Sequence, residues 1–137
     1  MAAINTAVGS SLLKFTFTDD DGELIASFRM NPADVKLAQR CQEVAAFFDE
    51  LKEKTNTETL EDALKFNDEL ESKFCYLLGY DVKQSLFGFL SATSVLGDGR
   101  MFAVCVMDRI VETVVPEIQK RKQSMEAAVA KHTAKYQ

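Results

Sequence analysis

The side chains able to do chemistry in this sequence are few and scattered. Its single histidine, His132, lies near the C-terminus. Nucleophilic catalysis needs a base within hydrogen-bond reach of the nucleophile and held there. His132 instead falls on the least constrained stretch, at helical spacing from Val129 and Tyr136, and reads as partly exposed helix filler. Cys41, Cys75 and Cys105 with His132 would make four zinc ligands. No two of them stand at the Cys-x-x-Cys or His-x-x-x-His spacing by which knuckles and helices present ligands. Each cysteine sits among apolar neighbours, where a small buried thiol serves as a hydrophobe in a reducing compartment.

The carboxylates read the same way. Asp49-Glu50, Glu61-Asp62 and Asp68, Glu69 and Glu71 fall opposite apolar stripes, where solvated charge is the default. Asp19, Asp21 and Glu23 alternate as calcium ligands do, but no glutamate occupies the twelfth loop position, so a hairpin turn is expected instead. Gly97-Asp98-Gly99 has neither a Lys-Ser/Thr pair nor a Gly-x-Gly-x-x-Gly frame, and predicts a turn and helix cap. The reading is of a non-enzymatic chain with no catalytic residue, metal ligand or cofactor.

The elements that would position these groups follow from periodicity. Residues 1–10 show no period and predict a flexible leader, with one domain over 11–137. Leu13, Phe15 and Phe17 alternate with polar residues, and Leu24, Ile25, Ala26 and Phe28 follow an Asp-Gly loop. That pattern predicts a β-hairpin over 11–29. Asn31-Pro32 opens a helical body over 31–116. Val35, Leu37, Ala38, Cys41, Val44, Ala45, Phe48 and Leu51 recur at helical spacing to about Lys54, and Asn56 and Thr57 punctuate. A second stripe, Leu60, Ala63, Leu64, Asn67, Leu70, Phe74, Leu77 and Leu78, ends at Gly79 as a C′ glycine.

A short helix is expected over Val82 to Leu90, then a loop, then a long helix from Arg100 that Pro116 kinks or divides. Beyond the proline, 117–137 is a basic helix with a thin apolar stripe that needs something to lie against. The fold class expected is mainly α (α+β), an N-terminal hairpin followed by a bundle of about four helices.

Charge narrows the partners. Residues 19–81 hold 16 acids and 7 bases, while residues 100–137 hold 4 acids and 7 bases. An acidic body repels polyanions, and Lys120-Arg121-Lys122 is short and lacks aromatic interleaving, so no nucleic acid is expected. That cluster reads as a solvated face or as a contact with an acidic neighbouring protomer. No apolar run reaches membrane-spanning length, and no membrane association is expected. Phe47 beside Phe48, and Phe87 beside Phe89, cannot share one helix face, which leaves part of the aromatic surface for an interface.

The order of hairpin and helices, with Lys73-Phe-Cys-Tyr-Leu-Leu-Gly-Tyr-Asp81 running on to Leu86-Phe-Gly-Phe-Leu90, resembles the small tail assembly chaperones of long-tailed bacteriophages. Ser94-Val-Leu-Gly-Asp-Gly-Arg-Met-Phe102 and Val111-Glu-Thr-Val-Val-Pro-Glu-Ile-Gln-Lys120 are similar to that family's glycine turn and kinked basic helix. The resemblance covers about 11–137. It implies a protein of the bacterial host cytoplasm, left out of the mature virion, that keeps the hydrophobic tape-measure protein soluble and promotes tail-tube assembly. Its expected partners are the tape-measure protein, the tail-tube protein and further copies of itself. Periodicity, and no family motif, selects the candidate protein-binding residues: Phe102, Val106, Ile110 and Val114 before the proline, and Ile118, Met125, Val129 and Tyr136 after it. The competing reading is a structural connector of a phage particle or another oligomeric helical adaptor.

Overall fold

The computed structural model describes residues 3–6, 12–51 and 59–134, without the side chains of 132–134. It is mainly helical, with a two-stranded antiparallel hairpin followed by four helices, the last of them long. The expected leader is described only over 3–6. The expected end of the first helix at Lys54, the Asn56-Thr57 break and the tail beyond 134 lie outside the described residues.

Strands β1 (Leu13–Thr18) and β2 (Leu24–Met30) pair antiparallel. Their loop is the expected Asp-Gly turn: the Asp19 carboxylate accepts the amides of Asp21 and Glu23, and Gly22 takes a positive φ of 83°. A bulge between Phe17 and Thr18 resets the register next to Ile25. Ala26, Phe28 and Met30 therefore face inward and Leu24 faces solvent.

Helix α1 (Val35–Leu51) begins later than the Asn31-Pro32 signal predicts. Asn31 Oδ1 accepts the Ala33 amide in a preceding turn, and Asp34 Oδ1 accepts the Lys36 amide at the first helical turn. The Asp34 carboxylate, three residues nearer the helix than Asn31, serves the cap. Helix α2 (Leu60–Leu78) is capped by Thr59 Oγ1, which accepts the Asp62 amide, and ends at Gly79 with φ 80°. Leu60 and Leu64, counted on its stripe, are exposed, and burial starts at Leu70.

Helix α3 spans only Lys83–Phe87, shorter than expected, and Phe89 beyond it is 73% exposed. Helix α4 (Phe102–Ala134) runs through Pro116 without division. The proline withholds one N–H from the Glu112 carbonyl. Glu112 lies on an exposed side, where water can take that bond.

One core joins these elements, and phenylalanine is its thread. Eight of the ten phenylalanines form a continuous chain of rings. It runs from Phe15 and Phe17 over Phe28, through Phe102, Phe87 and Phe74, to Phe48 and Phe47, with centroids 4.8–6.1 Å apart. Lys73 Nζ sits 4.7 Å above the Phe47 ring and closes the outer end. The Tyr80 hydroxyl accepts the Arg29 amide at 2.7 Å and ties the hairpin to the α2–α3 link.

The loop before α4 is fastened by polar groups. Asn67 Oδ1 accepts both the amide and the hydroxyl of Thr93 at 3.0 Å, and Asn67 Nδ2 donates to Glu71 Oε2 at 2.7 Å. Glu71 Oε2 also accepts the Ala92 amide at 3.3 Å. The loop in turn offers its Ser94 and Ala92 carbonyls to the amides of Phe102 and Ala103, first in α4.

Cys41 is buried and Cys75 and Cys105 are partly so, all as free thiols. Burial pushes the Cys41 thiol above its ordinary value of 9.0. The folded state keeps this proton to higher pH than the unfolded chain, so the stabilisation it brings is present below that value and declines as pH rises past it. A thiol reagent should consume Cys75 and Cys105 first and reach Cys41 only on unfolding. In Cys41→Ala, the fall in melting temperature between about pH 8 and about pH 10 should be shallower than in the parent.

Candidate protein-binding grooves

Helix α4 changes character along its length of about 50 Å. Phe102, Ala103, Val106, Met107, Ile110 and Val114 are buried. Past Val114 no described residue is. The helix therefore leaves the body at about its midpoint and carries its remaining apolar side chains in the open. Such side chains at helical spacing need a covering partner.

The expected binding residues separate along this division. Phe102, Val106, Ile110 and Val114 are at most 1% exposed and belong to the core, so they are not available as a docking surface. Their period is that of a helix face, and burial against the ring chain uses that face. Ile118, Met125 and Val129 are exposed and lie together on one side of α4. Tyr136 lies outside the described residues, as does the side chain of His132.

Those three residues form one wall of an open groove of about 690 Å³. The other wall is the turn and first helical turns at the start of α1: Pro32, Ala33, Val35 and Ala38. Val35, read from the sequence as a core position, is 61% exposed here, close to Met125 at 61% and Val129 at 63%. The floor is apolar and the rim is charged, with Asp34, Glu117 and Glu126 among Arg121 and Lys122. Arg121 Nη1 donates to the Ala33 carbonyl and bridges the two walls. An apolar strip with charges of both signs at its edge suits the apolar face of an amphipathic helix.

A second groove, of about 380 Å³, lies at the opposite end of the α1–α4 pair. Phe48 and Leu51 of α1, Phe66 of α2, and Met101, Val104 and Val111 of α4 line it. Among the described residues, its charged lining is Asp49 and Asp108. The start of α1 borders the back of α4 and the end of α1 borders its front, so the two helices run antiparallel and hold the grooves apart.

No chemistry gathers in either groove. Among the described residues, no three His, Cys, Asp or Glu side chains come together as a metal site, and none of the helices is long and apolar enough to cross a membrane. A charge cluster of Arg100 with Asp98 at 2.8 Å and Asp108 at 3.4 Å is solvent-exposed and orders the turn before α4. The Arg100 amide, then its guanidinium, hold the Asp98 carboxyl below the usual carboxylate range.

The α1 side of the large groove was missed by periodicity at Val35, which it assigns to the core with its neighbours; Ala38, partly buried, does pack against the core as its spacing predicts. The signal at Val35 was Pro32 and Asp34, which shift the start of α1 so that its first turn lies at the surface. No family model, curated protein or solved structure matches this chain.

Proposed function

We propose that this chain is a non-enzymatic holdase that grips apolar helical segments of a longer client in the groove between the start of α1 and the back half of α4. The observation that carries this reading is the pairing of exposed Val35 with exposed Met125 and Val129 across one apolar groove. Each such contact is modest, and several copies along one client sum them. The acidic body keeps the complex in solution by repulsion between copies.

The resemblance to tail assembly chaperones supplies the client: the tape-measure protein of a long-tailed phage, held in the bacterial cytoplasm until the tail tube grows along it. A tape-measure protein is long, helical and apolar, which is the chemistry this groove fits.

The test is co-expression with the long coiled-coil protein encoded next downstream, reading its solubility and co-purification. The parent chain should carry the client into the soluble fraction in several copies. Met125→Glu with Val129→Glu should leave the melting temperature unchanged, since both side chains are already exposed, and leave the client insoluble. An unbound client, with this protein recovered from mature particles, would replace the holdase reading with the connector.

A further inference from the structure

We propose that the exposed stripe on the back half of α4 docks, in a second copy of this chain, into the acidic-rimmed groove at the front of α4, so that copies join head to tail.

The two surfaces are complementary. The stripe presents Ile118, Met125 and Val129, and residues 117–131 hold four bases, Lys120, Arg121, Lys122 and Lys131, against two acids, Glu117 and Glu126. Among the described residues, the front groove presents Phe48, Phe66, Met101 and Val111 with two carboxylates and no base. Among the described residues, neither Lys122 nor Asp49 makes an ion pair within the chain. Arg121 is engaged by the Ala33 carbonyl and Asp108 by Arg100; of the bases Lys120, Lys122 and Lys131, unpaired among the described residues, Lys122 lies beside the stripe and is placed to meet Asp49. Placing an apolar stripe in an apolar groove supplies the attraction, and the charges fix orientation and encounter rate.

The contact has to be between copies. Both surfaces ride on α4, centred near residues 106 and 123, about 25 Å apart along a continuous helix. One rigid element cannot bring its own two ends together. A surface that meets a different surface on its neighbour is heterologous, and such contacts propagate into rings or open chains. The stripe is also a wall of the client groove, so a docked copy and a docked client exclude each other. Client-free chains would then cover one another's apolar stripes.

Sedimentation velocity on two complementary variants tests this without any client. The parent should assemble in a concentration-dependent series that weakens with salt. Asp49→Lys with Asp108→Lys disables the groove, and Met125→Lys with Val129→Lys disables the stripe. Each alone should be monomeric, with association weakened about tenfold or more. Mixed, they retain one working groove and one working stripe, and should form a heterodimer that stops at two. Circular dichroism verifies folding, and Asp49→Lys alone, which leaves the Arg100 pair intact, should show the same weakening in part.

A parent that stays monomeric would overturn the proposal. So would a mixture that does not pair, because only a symmetric contact loses assembly in both variants without restoring it together. The groove-disabled variant keeps its client groove intact. Client binding by that monomer would show that the holdase reading stands or falls separately.

Discussion

Phe102→Ala should unfold most of the molecule at physiological temperature. Phe102 is 1% exposed and sits where the ring chain crosses from hairpin to helices, with Phe17 at 5.5 Å on one side and Phe87 at 6.0 Å on the other. Truncating a buried phenylalanine costs about 3–5 kcal/mol, the transfer of the lost ring plus the cavity it leaves. Two edge-to-face contacts, each worth about 0.5–1.5 kcal/mol beyond area, go with it. A domain of this size has about 5–15 kcal/mol in total, so the loss is a large share. Urea denaturation followed by far-ultraviolet circular dichroism should place the midpoint far below the parent's, with the hairpin released. Phe89→Ala is the control. With its ring 73% exposed and outside the chain of rings, it should move the midpoint by less than about 0.5 kcal/mol. Equal effects at the two positions would mean that the ring chain does not organise the core.

The contrast between these two phenylalanines also marks what the sequence could reveal. Alternation over Leu13–Phe17 and the Asp-Gly turn specified the hairpin, and the stripes of α1 and α2 specified two helices, because local period and local turn chemistry act at the same place in the chain. Gly79 closed α2 as expected for the same reason. Which apolar positions would face a partner was not local. Val106 and Val129 belong to the same helical pattern, yet one is fully buried and the other 63% exposed. The difference is set by where the body ends beneath α4, and that depends on how α1, α2 and the hairpin stack. Leu60 and Leu64 fail in the same way: their spacing is correct, but no described residue covers them. The bulge beside Ile25 could not be read either, since it arises from register between two strands.

Asn67 is the case in which a visible signal had no visible partner. It stands within the apolar stripe of α2, where an amide is out of place, and Glu71 one turn on reads as ordinary surface charge. Folding brings Ala92 and Thr93, distant in sequence, onto Glu71 and Asn67 respectively. The amide then satisfies the Thr93 amide and hydroxyl with its oxygen while its nitrogen orients Glu71 toward the Ala92 amide. Asn67→Ala should cost about 2–3 kcal/mol, because it removes three hydrogen bonds and leaves the part-buried Thr93 amide without its acceptor. Asn67→Asp should cost more, since it keeps the acceptor for Thr93 but sets a second carboxylate against Glu71.

The damage should travel. The Ala92 and Ser94 carbonyls hold the first amides of α4, and Met101 and Val104 at that end line the front groove. Hydrogen exchange in Asn67→Ala should therefore show lost protection at Ala92, Thr93, Phe102 and Ala103 while β2 and the middle of α1 retain theirs. Self-association through the front groove should weaken with it, even though Asn67 lines neither groove. Unchanged protection at Phe102 and Ala103 would mean that α4 is seated by the core alone and that the polar fastening is incidental to it.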